Sequence, residues 1–185
     1  MIILGVWDGT PSSAALIVNG EIKIAVSEER LTRSKNAYGF PEKSIELILN
    51  KTGYKISEID EVAMSTASLS PTYFYTSRNA KFSIKDYWKE QNEYWYKKFY
   101  EGKDPKYLEI FQDKIDHNKF PYDAKLIKDE KDSSGMWEAR KKHLSESLGI
   151  DQKKISLHDH HKCHAYYGYL MSPYRNDESL IFTMD

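Results

Sequence analysis

The alternation of apolar and polar positions divides the chain into short, well-punctuated elements. Residues 2–6 are an unbroken apolar run with β-branched members, the pattern of a central strand buried on both faces. A polar turn of small residues, Asp8-Gly9-Thr10-Pro11-Ser12-Ser13, separates it from a second strand over 14–18. Asn19-Gly20 is a strong hairpin signal, and Ile22, Ile24 and Val26 alternate along the returning strand 21–27. The charge-dense run 28–36 reads as a solvated loop. Pro41 then opens a helix, Ile45, Ile48 and Leu49 form its buried stripe, and Gly53 ends it. Residues 59–66 give a fourth strand with Val62 and Met64 inward.

The pattern changes over residues 70–149, which read as a helical insertion. Ile84, Trp88, Trp95 and Phe99 recur at approximate helical spacing, predicting a buried aromatic stripe on a helix that stops at Gly102. Further helices are expected at 105–116 and 134–148, joined by the charged stretch 125–132. The β-strand pattern returns at 155–158, a helix is predicted over 160–170, and a sixth strand over 179–185. The predicted order is thus β-β-β-α-β-α-β-α and one new strand, an α/β class.

Composition narrows the function classes. The 185 residues carry 27 basic and 28 acidic side chains, mixed along the chain for a net charge of −1. That balance gives no footprint for nucleic acid. No apolar run approaches the roughly 20 residues needed to span a bilayer. Cys163 is the single cysteine. It excludes an intramolecular disulfide and, with a start that lacks a positive leader, points to a cytoplasmic location.

The chemistry concentrates in His160-His161-Lys162-Cys163-His164-Ala165. On a helix, His160 and His164 share one face a turn apart, where two imidazoles can bind one metal ion. His161 lies about 100° round the helix, a position for a substrate contact rather than a ligand. Cys163 beside small residues reads as core. Asp8 and Asp185 are acids at the carboxyl ends of apolar strands, where α/β proteins gather binding and catalytic groups.

Taken in order, Ile3-Leu4-Gly5-Val6-Trp7-Asp8-Gly9, Ser12-Ser13-Ala14-Ala15-Leu16, Asn19-Gly20-Glu21-Ile22, Glu28-Glu29-Arg30-Leu31-Thr32-Arg33 with Lys35, Gly39-Phe40-Pro41 and His160-His161 with His164-Ala165 closely resemble the N-terminal region of the carbamoyltransferase family, which includes NodU-type nodulation-factor enzymes and antibiotic O-carbamoyltransferases. The resemblance covers 1–66 and 155–185. It implies a Kae1-like lobe of the actin-like, ribonuclease-H-like fold, a mixed sheet with helices on both faces, split as 1–69 and 150–178 around the insertion 70–149, with 179–185 opening a second lobe. The implied reaction passes a carbamoyl group from carbamoyl-adenylate, made from carbamoyl phosphate and ATP by a YrdC-like domain, to a hydroxyl of a small molecule or sugar.

By motif position, the resemblance implies a divalent metal, iron foremost with zinc or manganese as alternatives, held by His160, His164 and Asp185. It implies catalytic roles for Asp8 and His161, and places Glu28, Arg30, Arg33 and Lys35 facing the anionic donor. Thr10 and Pro11 stand where family members commonly carry His-Asp. The implied partners are the acceptor, the second lobe and the YrdC-like domain, with a homodimer also allowed and neither nucleic acid nor membrane among them. The chain is then the N-terminal piece of a larger enzyme, inactive by itself. Two other readings fit less of the sequence: a sugar-kinase-like or threonylcarbamoyl-transfer-type ATPase, and a non-catalytic piece that uses the aromatic insertion for protein contacts.

Overall fold

The structure, a computed structural model, describes residues 1–66, 82–114, 122, 126 and 134–184. It divides into two compact units, 1–68 with 141–185, and 69–140. The strands are β1 (Ile2–Trp7), β2 (Ser13–Val18), β3 (Glu21–Ser27), β4 (Glu61–Thr66) and β5 (Ile155–Asp159). The helices, in chain order, are α1 (Glu28–Thr32), α2 (Glu42–Thr52), α3 (Ile84–Lys89), α4 (Tyr96–Phe99), α5 (Tyr107–Ile110), α6 (Ser134–Leu148) and α7 (His160–Leu170).

The first unit is built on one five-stranded mixed sheet in the order β3-β2-β1-β4-β5. The hairpin from β1 through β3 is antiparallel, whereas β1, β4 and β5 run parallel. Asn19 at φ 51° and Gly20 at φ 85° supply the two positive φ values that match a two-residue turn to strand twist. Because β1, β4 and β5 are parallel, their carboxyl ends emerge at the same edge.

Burial is one-sided. Leu4, Val6, Ala14, Leu16, Val18, Val62, Met64 and Ile155 are buried and pack with Ile45 and Ile48 of α2, Leu144 of α6, and Ile150. Their neighbours on the opposite face, Ile3, Gly5, Ala15, Ile17 and Ala63, are only half-buried. This corrects the expectation that β1 is buried on both faces: its apolar run has a true period of two.

The segment 28–36 also differs from its expected solvated loop, since Glu28–Thr32 forms α1. Buried Glu28 explains the difference. Its Oε2 accepts from the Ser44 N–H at 2.8 Å and the Ser44 hydroxyl at 2.6 Å, and its Oε1 from the Lys43 N–H at 3.2 Å. The first turn of α2 follows Pro41, which provides no side-chain cap. Glu28 therefore caps α2 from a neighbouring helix, placing a negative charge at the positive end of the helix dipole.

Residues 179–184 form no strand, and Leu180 is 100% exposed. An apolar run becomes a strand only where a sheet edge accepts it, and these residues join no sheet. Asp185 lies outside the described residues, as does 125–132 apart from residue 126.

In the second unit, Ser83 and Asp86 form a reciprocal capping box at the start of α3. The Ser83 hydroxyl, with its backbone N–H and Lys114 in support, holds the Asp86 carboxyl down to about 2. The helix continues through a π-helical stretch, Glu90–Trp95, into α4. Its expected apolar stripe is turned outward at three of four positions: Trp88 and Phe99 are 68% and 69% exposed and Ile84 is exposed too, while Trp95 packs against the buried cluster. Tyr94 packs inward with Tyr107 and Phe111 instead, and buried Glu90 accepts from the Tyr107 hydroxyl at 2.7 Å. The widened turn rotates the inward face away from the positions a 3.6-residue period selects. The helix expected over 105–116 is shorter than predicted, with α5 followed by a 3-10 turn at Gln112–Lys114.

Candidate functional site

The carboxyl edge of the three parallel strands gathers the polar chemistry of the first unit. At the end of β5, Asp159 accepts from the Lys162 N–H at 2.9 Å and so starts α7. This cap fixes the phase of the helix that carries the histidines. His160 Nε2 lies 3.0 Å from His164 Nε2, with the rings nearly perpendicular at 82°. At that distance one ring donates and the other accepts, which requires opposite tautomers.

The same separation suits a shared cation. Two nitrogens each about 2.1 Å from one ion are about 3.0 Å apart at a right angle and about 3.4 Å apart at the tetrahedral angle. The two histidines therefore fit a metal with neighbouring ligands at right angles. Among the described residues, no third His, Cys, Asp or Glu joins them.

The end of β1 braces this pair. The Trp7 indole stacks on His160 with centroids 5.1 Å apart and planes 29° from parallel. A Cβ on Gly9 would lie 1.9 Å from the same indole. The glycine thus makes room for the ring that supports His160. His161 is exposed and meets His160 edge-on at 5.7 Å. Cys163 is half-buried on α7, with a free thiol.

Asp8 is only 5% exposed, and its carbonyl accepts from the Gly39 N–H at 3.0 Å. The Ser12 N–H donates to Ala37 and its carbonyl accepts from Glu28, so the turn after β1 is tied to both the 37–39 loop and α1. Ser12 Oγ is fully buried, with no hydrogen-bond partner among the described residues. Next to Gly39, the Phe40 ring contacts His143 of α6 edge-on at 5.3 Å. Burial pushes the His143 imidazole below its usual range, while the charges of Asp8 and Glu146 act in the opposite direction.

The structure therefore brings Asp8, His160, His161 and His164 to one sheet edge. Glu28 is the cap of α2. Arg30 is exposed and 3.9 Å from the Glu29 carboxylate, Arg33 closes α1 in a left-handed conformation, and Lys35 is exposed beyond it. No described contact joins these three cations to the histidines. Three contributors were given no role from the sequence: Trp7 and Gly9, which brace His160 and stand in the first family motif, and His143, which comes from a helix far along the chain. For His143 the sequence carried no hint.

With this geometry in hand, similarity to known proteins decides the family. The sequence matches the family described as Carbamoyltransferase N-terminus over residues 3–185. The chain belongs to the carbamoyltransferase family. It is 26% identical over 175 residues to nodulation protein NolNO of Sinorhizobium fredii, an alignment covering 94% of this chain and 19% of that protein. An uncharacterised protein of Methanocaldococcus jannaschii is 52% identical over 63 residues, 34% of this chain and 12% of the relative. Another from Synechocystis is 41% identical over 51 residues, 28% of this chain and 8% of that protein. The matched stretches thus make up less than a fifth of each relative. Among the described residues no helix is long and apolar enough to cross a membrane.

Proposed function

We propose that the chain is the N-terminal part of an O-carbamoyltransferase, contributing one face of the site that moves a carbamoyl group from carbamoyl-adenylate to a hydroxyl of a small molecule or sugar. The observation that carries this reading is the convergence of Asp8 and the His160/His164 pair at the carboxyl edge of one sheet, in a chain matched to the carbamoyltransferase N-terminus along its length. The element order β-β-β-α-β-α-β-α supports the actin-like, ribonuclease-H-like lobe. The half-buried face of the sheet and the exposed Tyr166, Tyr167, Leu170 and Phe182 leave surface for a second lobe and a YrdC-like domain to cover.

In this reading His160 and His164 hold a divalent metal, iron foremost, with Asp185 as a further ligand. Two neutral imidazoles and a carboxylate suit a first-row ion, which when bound polarises the carbamoyl oxygen. The chain's own residues do the rest. Trp7 and Asp159 fix the two rings, His161 contacts substrate from the exposed side of α7, and Asp8 supplies a fixed negative charge at the end of β1. Arg30, Arg33 and Lys35 meet the phosphates of the donor from an exposed segment. The parent works in the cytoplasm, where ATP and carbamoyl phosphate are available, and a homodimer is compatible with it.

The test uses the full-length protein. Carbamoyl phosphate-dependent conversion of ATP to AMP and pyrophosphate is expected, together with one equivalent of iron or zinc that His164→Ala abolishes. ATP turnover without pyrophosphate would support a kinase-like reading instead. Unchanged metal content in His164→Ala would remove the metal assignment.

A further inference from the structure

We propose that His143, seated between Phe40 and the Asp8 end of β1, is the base that takes the proton of the acceptor hydroxyl. The inference rests on the carbamoyl-transfer reading above. It starts from position: α6 delivers one imidazole to the Phe40 ring and within reach of the Asp8 charge at the end of β1. The Gly39 N–H holds the Asp8 carbonyl at 3.0 Å, and the adjacent Phe40 ring abuts His143 at 5.3 Å, so one short loop locates both groups.

The chemistry of the ring fits the task. His143 is half-buried, and so both reachable and partly dehydrated. Ser147 Oγ lies 3.3 Å from its Nε2 and restrains the ring from one helical turn away. The charged groups that act on it are Asp8, from the end of β1, and Glu146, from α6 itself. Glu146 in turn stands 4.0 Å from Lys142. Burial favours the neutral ring and Asp8 favours the protonated one. Burial is the larger effect, so the ring rests neutral and free to accept a proton, and Asp8 stabilises the imidazolium that then forms. Thr10 and Pro11, in the same turn as Asp8, offer no titratable side chain of their own.

The step balances. The acceptor O–H gives its proton to the His143 imidazole while its oxygen bonds to the carbamoyl carbon. The bond from that carbon to the adenylate phosphate oxygen breaks, and AMP leaves with the electron pair. The imidazolium then returns its proton to water. Asp8 is a positioning residue here, acting through the imidazole it stabilises.

The test is the pH dependence of transfer by the full-length enzyme, with carbamoyl phosphate, ATP and glycerol as the probe hydroxyl. Pyrophosphate release is followed separately as a measure of donor formation. His143→Gln is expected to lower transfer by about 10²-fold or more, to leave pyrophosphate release unchanged and to erase the acid limb of the profile. Asp8→Asn is expected to move that limb to lower pH, because the charge that raises the imidazole is gone. Transfer by His143→Gln within twofold of the wild type, with the same acid limb, would overturn the proposal. A wild-type enzyme with neither pyrophosphate release nor transfer would instead overturn the carbamoyl-transfer reading. A melting curve of His143→Gln that matches the wild type assigns the loss to chemistry, and a collapsed one counts against the proposal, since the ring would then be part of the core.

Discussion

Glu28 holds Ser44 twice, by its backbone N–H at 2.8 Å and its hydroxyl at 2.6 Å. The contact turns a charged residue from an apparent surface run into the cap of the helix that covers the sheet. Glu28→Ala leaves these donors and the Lys43 N–H without their acceptor, and is expected to destabilise the protein by about 3 kcal/mol. Glu28→Gln keeps an acceptor but loses the charge, and about 1 kcal/mol is expected. Urea titrations should show lower midpoints at an unchanged slope.

Gly9 and His160 communicate through one indole. The Cβ of Gly9→Ala meets the Trp7 ring at 1.9 Å and must displace it. A cost of about 1–3 kcal/mol is expected, as for other overpacked sites. The displaced indole also abandons His160. In the full-length protein, metal affinity should therefore fall by roughly 10–100-fold, the range for loss of a group that orients a ligand. Titration with zinc, read beside a melting curve, separates the two effects.

Acid should weaken the fold through His143. Its folded-state value lies below the unfolded one, so the folded protein binds fewer protons there as pH falls. The stability involved is present above the ordinary histidine range and is lost on acidification through about 6.5 and below. Melting temperatures at pH 7 and pH 5 should differ less for His143→Gln than for the wild type.

The aromatic residues of α3 and α4 should be separable by substitution. Trp88→Lys and Phe99→Lys alter exposed rings and should change stability by no more than about 0.5 kcal/mol. Tyr107→Phe deletes the hydroxyl that donates to buried Glu90, and about 1–3 kcal/mol is expected. Denaturant titration of the three variants checks the assignment of inside and outside.

That contrast shows where sequence pattern is a sufficient guide. The β1–β3 meander was legible because Asn19-Gly20 admits two positive φ values and the strands alternate. The extent of α7 was legible because the histidines fall at helical spacing. Reading failed where a charged side chain is buried by specific partners. Glu28 and Glu90 look like surface residues until Ser44 and Tyr107 are placed beside them. It failed again for the site's supports, since the His143–Phe40 and Trp7–His160 contacts join segments that only tertiary structure brings together. The family motifs located the histidine pair and Asp8, but could not say what holds them.

The parallel arrangement of β1, β4 and β5 has a kinetic consequence. The hairpin strands pair locally and can form early, whereas β4 meets β5 only after a long chain closes on itself: Lys154 donates to the Ile59 carbonyl 95 positions away. Closure entropy grows only with the logarithm of loop length, so a large intervening unit adds little to its thermodynamic cost. Non-local pairing is nevertheless slow. The histidine pair rides on the helix that follows β5, so it reaches Trp7 only when this last parallel strand docks. A nascent chain would carry a folded hairpin well before its histidine pair was in place, and His160 would meet Trp7 only near the end of folding.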